Sequence, residues 1–144
     1  MLAEAIMCLA LNVYHEARSE EMAGQIAVTQ VVMNRVESEY YPDSPCEVIY
    51  QGPTRPQWDN PDKQIPVRHR CQFSWYCDGK SDDPKDEEAW RQSVTVAWGV
   101  FNNQVFDQVN GALWYHADYV TPAWASEKSE TTRIGSHIFY NWKK

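Results

Sequence analysis

Leu2 to Val36 reads LAEAIMCLALNVYHEARSEEMAGQIAVTQVVMNRV, and the spacing of its apolar residues decides the fold class. Leu2, Ile6, Leu9, Ala10, Val13 and Ala17 recur at helical intervals, predicting a first helix from about Leu2 to about Arg18 with one buried stripe. Met22 to Val36 is apolar around most of its circumference. Its small Ala23, Gly24 and Ala27 permit a close neighbour, so a second, central helix is expected there.

Outward from this pair the pattern changes. Between Glu39 and Asp83 six prolines and scattered aromatics leave no helical or strand period, which predicts a long loop, and a loop of that length in a compact domain is usually functional. Asp83-Pro84 then opens a third helix, with Asp86, Glu87 and Glu88 complementing its dipole and Trp90, Val94, Ala97, Trp98 and Phe101 as the inward stripe. Gly111–His116 and Ile134–Trp142 read as short extended segments that could form a small hairpin. The expected architecture is one mainly α (α+β) domain over residues 1–144, with a long central loop and little β structure.

Composition excludes some functions. A net charge of -7 and 23% charged residues, with Lys143-Lys144 the longest basic feature, argue against nucleic acid as the main partner. No apolar run suits membrane insertion, and Met1 to Val13 lacks the basic start and cleavage site of a leader, so export by a removed leader or by another route is expected. Seven Trp and eight Tyr against four Phe give most rings a polar handle, which suits both a core and sugar stacking. Cys8 falls in the helical stripe and reads as a buried thiol. One loop disulfide, Cys46 with Cys71 or Cys77, is expected in an oxidising setting.

One carboxylate stands out. At helical pitch Glu16 projects within about 20 degrees of Leu9 and about 60 degrees of Val13, beside the apolar stripe, whereas Glu4 points away. Burial disfavours the charged form of a carboxyl and moves it toward the range a general acid needs near neutrality. The competing reading ends the helix before Glu16 and pairs it with Arg18 or Arg35 at the surface. Glu20 reads as an N-terminal acid of the second helix, and His137, between apolar neighbours, as a core histidine.

YHEARSEEMAGQIAVTQVVMNRV (Tyr14–Val36) resembles the signature of the SleB-type cell-wall hydrolases, the spore cortex-lytic enzyme family. CQFSWYCDG (Cys71–Gly79) is similar to its Phe-Ser-aromatic loop, GALWYH (Gly111–His116) to its aromatic-His segment and IGSHIFY (Ile134–Tyr140) to its ending. Four blocks in order over nearly the whole chain are more specific than any one of them. The resemblance implies a lysozyme-like fold related to lytic transglycosylases, a peptidoglycan substrate cut between N-acetylmuramic acid and N-acetylglucosamine, no cofactor or metal, a monomer acting at the cell wall (periplasm or outside), and Glu16 as the catalytic acid. Ser74, Trp75, Tyr115, His116 and Trp124 lie in or near the matching blocks and are the expected substrate-binding residues. The insert Gln51–Arg70 is longer than in spore enzymes, and no wall-binding repeat is present. The resemblance is therefore nearer to a phage endolysin released by a holin, or to a hydrolase of a thin-walled host.

Two other classes are consistent with parts of the sequence. A Cys/His peptidase or amidase would use Cys71 or Cys77 with His116 to cut the wall's stem peptide, although neither Cys begins a helix that would lower its pKa. A zinc site from His69, Cys71, Cys77 and His116 has no common ligand spacing. A non-enzymatic glycan-binding module would need only the aromatic loops.

Overall fold

A computed structural model describes residues 2–144 of the chain. The two opening helices are α1, Leu2–Ala17, and α2, Met22–Glu37. Leu9, Ala10, Val13 and Ala17 are buried as the periodicity requires, and α2 buries residues around most of its surface, from Gly24 to Arg35. A short α3, Pro45–Ile49, starts at Ser44, whose hydroxyl accepts from the Glu47 N–H, with Pro45 in the first turn. It packs Val48 and Ile49 against Leu9 and Val32.

The segment after α3 is not the uninterrupted loop expected. β1, Thr54–Gln57, and β2, Asn60–Pro66, form an antiparallel hairpin in register Arg55↔Ile65, with Trp58 at its tip. Most of the hairpin is exposed and none of it is buried, so its strands carry no apolar/polar alternation. A single 3-10 turn, Ser74–Cys77, follows and buries Trp75.

Four cysteines form two disulfides, Cys8–Cys46 and Cys71–Cys77. Cys8 is therefore not a free thiol, because α3 brings Cys46 over α1. Cys46 pairs with neither Cys71 nor Cys77. Periodicity placed Cys8 in the core but could not show which cysteine the Pro-rich segment would deliver to it.

The next helix, α4, spans Glu87–Phe101 and starts later than Asp83-Pro84 suggested, because the Asp86 carboxylate caps the Ala89 N–H at 3.1 Å. Its inward face is Ser93, Val96, Ala97 and Val100, and Trp98 is 53% exposed. Small Ser93 and Ala97 let α4 lie close on α1. The bulky rings flank that seam, so counting Trp98 as inward misjudged the face.

The chain closes with β3, Trp114–Ala117, β4, Ser129–Ile134, and β5, His137–Asn141, in the order β3-β5-β4, all antiparallel. The two predicted extended segments do pair, Tyr115 opposite Phe139, but the hairpin partner of β5 is β4, whose SETTRI sequence is too polar to be noticed. Polar side chains of α2 set the sheet's position: Gln30 donates to the Phe106 carbonyl, Asn34 to Ala112 and Arg35 Nε to Leu113, at 2.7, 3.0 and 2.7 Å. Phe139 then packs with Ala17, Val28 and Val31. Among the described residues no helix is long and apolar enough to cross a membrane.

Candidate active site

Glu16 lies in the last turn of α1, where the helix dipole disfavours an acid, so helix stability alone would not select it. Its side chain is half-buried, and the buried Tyr115 hydroxyl, delivered by β3, donates to Oε1. Burial pushes the Glu16 carboxyl above its usual range, while the Tyr115 hydrogen bond and the charges of His15 and Arg35 offset part of that shift. Burial and the adjacent Glu16 hold the Tyr115 phenol well above its ordinary value, so Tyr115 remains a donor throughout the neutral range.

Behind this pair Arg35 is 3% exposed, flanked by the rings of Tyr41 and Phe73 at 5.0 and 5.5 Å. Its Nη1 has no hydrogen-bond partner among the described residues. Burial lowers its pKa, opposed by Tyr41, Tyr115 and Glu16, and a guanidinium is basic enough to stay cationic. One turn before Glu16, the buried Asn12 accepts from Trp75 Nε1 at 2.8 Å and fixes the 3-10 turn against α1.

Glu16 opens onto a cleft of about 630 Å³ between the end of α1 and the segment 74–85. His15 shapes its wall. The ring stacks on Trp75 with centroids 4.7 Å apart, and its Nε2–H donates to the Asp82 carbonyl at 2.9 Å. Ser74, Trp75, Asp78 and Asp82 line the same space, with Arg18, Lys80 and Lys85 adding cations. The Asp82 carboxyl is raised by burial, with His15 opposing the shift.

Of the residues expected to bind substrate, Ser74 and Trp75 line this cleft, and Tyr115 sits behind Glu16. Ser74 is exposed, whereas Trp75 is 6% exposed with one ring face covered by His15. His116 and Trp124 stand on the opposite face of the sheet, because successive strand residues alternate. There His116 Nδ1–H donates to the Ala117 carbonyl, Nε2 accepts from the Tyr140 hydroxyl at 2.8 Å, and Trp124 packs edge-on.

Glu20 turns away from the cleft, and its carboxylate accepts from the N–H and hydroxyl of Ser136 in the β4–β5 turn. His137, 7% exposed, lies 3.5 Å from the same carboxylate. Burial lowers its pKa more than Glu20 raises it. Gly135 in that turn has φ +58, and a β-carbon there would strike Glu20 Oε1.

The Cys71–Cys77 disulfide removes the nucleophile of the Cys/His alternative, since a bonded sulfur forms no thiolate. Sequence reading passed over His15, Asn12 and Asp82, and took Arg35 only as a surface partner of Glu16, whereas it is buried. A polar Asn12 inside the apolar stripe, four residues before Glu16, was the available signal for one of them.

Comparison with known proteins places this geometry. A family model described as Cell Wall Hydrolase matches residues 19–140, a span that begins just after Glu16. The chain belongs to the cell wall hydrolase family. It is 34% identical over 137 residues to a spore cortex-lytic enzyme of Halalkalibacterium halodurans, and 30% identical over 141 residues to one of Bacillus subtilis, covering 94% and 93% of this chain. It spans about a third of the length of these relatives, 34% and 36%. Its fold is the lysozyme-like fold of SleB. The catalytic domain of the germination-specific lytic transglycosylase SleB from Bacillus anthracis superposes with a TM-score of 0.70 at 27% identity, over 95% of this chain and 93% of that one. The catalytic domain of Bacillus cereus SleB gives 0.64, also at 27% identity, over 95% and 89%.

Proposed function

We propose that the chain acts as one catalytic unit that cleaves the glycan strand of peptidoglycan between N-acetylmuramic acid and N-acetylglucosamine, with Glu16 as its single acid and base. The observation that carries this reading is a carboxyl whose pKa is raised by burial, held by the Tyr115 hydroxyl at the wall of an open cleft. Relatives named spore cortex-lytic enzyme, and a solved neighbour named lytic transglycosylase, support the substrate and the bond. The unit works at the cell wall, as a monomer.

In this mechanism protonated Glu16 gives its proton to the glycosidic oxygen as the bond to C1 breaks. The neighbouring N-acetyl oxygen stabilises the oxocarbenium-like carbon in place of a second carboxylate. The Glu16 carboxylate left behind is stabilised by the Tyr115 O–H and the field of Arg35, both already in place before the proton leaves. It then removes the proton of the sugar's own C6 hydroxyl as that oxygen bonds to C1, giving a 1,6-anhydro end. Ser74 and Trp75 position the strand, with Asn12 and His15 holding Trp75 in place.

Purified peptidoglycan incubated with wild type and Glu16→Gln, with the fragments read by mass spectrometry, tests this. The expected result is anhydro-muropeptides from wild type and a loss of about 10²- to 10⁴-fold in the variant. Reducing ends would replace the C6 hydroxyl by water. Undiminished cleavage by a folded Glu16→Gln protein, or fragments cut in the stem peptide, would overturn the proposal.

A further inference from the structure

β3 and β5 alternate, so the residues flanking Tyr115 and Phe139 face away from Glu16. Trp114, His116 and Tyr140 project from the outer side of the sheet. They are part of a continuous row of rings. Tyr40 meets Trp142 at 5.6 Å, Trp142 meets Trp114 at 4.6 Å, Trp114 stands opposite Tyr140 in the strand register, Tyr140 stacks on His116 at 5.2 Å, and Trp124 closes the row at 5.7 Å from His116. Tyr40 is 68% exposed and Trp142 46%.

The chemistry of the row selects its ligand. Tyr140 is buried and its hydroxyl is held by His116, so the contact surface is Tyr40, Trp142, Trp114 and Trp124, whose rings carry an N–H or O–H at the edge, a combination that offers an apolar face to the C–H side of a pyranose and hydrogen bonds to its hydroxyls. The charge is also specific. Lys128 Nζ lies 4.1 Å from the Trp114 ring centre and 4.2 Å from that of Trp142, and Lys143 and Lys144 follow Trp142 directly. Half of the six lysines are thus gathered here in a chain of net charge -7. The adjacent Glu130 is engaged by Arg133 at 3.0 and 3.1 Å.

We propose that this outer sheet face is a second glycan-binding surface, which stacks amino-sugar rings of peptidoglycan outside the catalytic cleft and meets the carboxylates of the attached stem peptides with Lys128, Lys143 and Lys144. The proposal rests on the substrate class argued above. It separates holding the insoluble polymer from cutting it, since His116 and Trp124 are directed away from Glu16.

Retention on insoluble peptidoglycan would be measured with Glu16→Gln as the non-cutting parent and with Tyr40→Ala and Trp142→Ala added singly and together. Cleavage of a short soluble muropeptide chain would be followed in the same changes made on the Glu16 background, and melting curves would report folding. The expected result is about ten-fold weaker retention for the double change, with weakening on added salt for the parent and undiminished cleavage of the short chain. Tyr40→Ala, which removes the most exposed ring, shows part of that loss even where the double variant folds poorly. Unchanged retention in Tyr40→Ala and in Trp142→Ala overturns the inference. So does a parallel loss of short-chain cleavage, which would make the face part of the cleft. If wild type fails to cut wall glycan, the proposed activity falls and takes this inference with it; if wild type cuts and the ring variants bind as before, only the second surface is refuted.

Discussion

Leu9, Val13, Val28 and Val31 in the helical layer are fully buried, whereas Arg55, Trp58 and Lys63 in the β1–β2 hairpin are exposed, Trp58 to 90%. Both regions are ordered, but by different means. α1, α2 and α4 exclude water from one another, and hydrophobic burial holds them. In the segment between α3 and α4 the hairpin buries little and is ordered by main-chain pairing, whereas Phe73, Trp75 and Cys77 after it are buried and fixed by the Cys71–Cys77 crosslink and the Trp75–Asn12 bond. The cleft wall is built from residues 74–85, beyond the exposed hairpin, and meets the Glu16 carboxyl at the end of the helical layer.

The largest test of this contrast is Leu9→Ala, which should lower unfolding stability by about 3 kcal/mol in denaturant titrations. A loss under about 1 kcal/mol would show that the helical layer is not the tightly packed part. Replacing Cys71 and Cys77 together by Ala should cost about 2 kcal/mol, the chain entropy of a loop with separation 6, and leave the helical circular dichroism unchanged. Helix melting at the same step would erase the boundary between the two regions.

Glu16→Gln should have an effect of opposite sign. The folded-state pKa of Glu16 is raised above 4.5, so the favourable contribution of its protonated form is complete below that value and lost as pH rises through the raised one. The variant should therefore match wild type in acid and exceed it by about 1 kcal/mol at neutral pH, since the amide carries no charge to bury. Thermal melts across pH decide, and a variant less stable at neutrality contradicts the burial argument. Trp58→Ala should shift stability by less than about 0.5 kcal/mol, and a larger loss would mean that the hairpin tip is packed rather than free.

The same contrast explains what could be read from residues alone. Leu9, Val13 and Ala17 announced α1 because a helix half in water must alternate with its own period, and Glu16 was conspicuous because it broke that pattern. The hairpin was illegible since neither face is buried, and β4 because Ser129 to Arg133 is polar at the sheet's edge. Arg35 was considered only as a surface partner for Glu16. Its burial follows from the loop carbonyl of Leu113 and the rings of Tyr41 and Phe73, which long-range folding alone brings to it. Tyr115 came from the family motif, whereas its contact with Glu16, 99 residues away in sequence, was not recoverable from spacing.

That separation also has a chronology. Glu16 leaves the ribosome 99 residues before Tyr115. The clamp that seats the sheet, Glu20 on Ser136, spans 116 positions. A nascent chain that has emerged only through α4 possesses the helical layer and the carboxyl, yet lacks the hydroxyl that steadies it. Contacts of such long range form late. The Glu16–Tyr115 pair is thereby absent from every product of synthesis that stops before β3, and forms only when that strand docks.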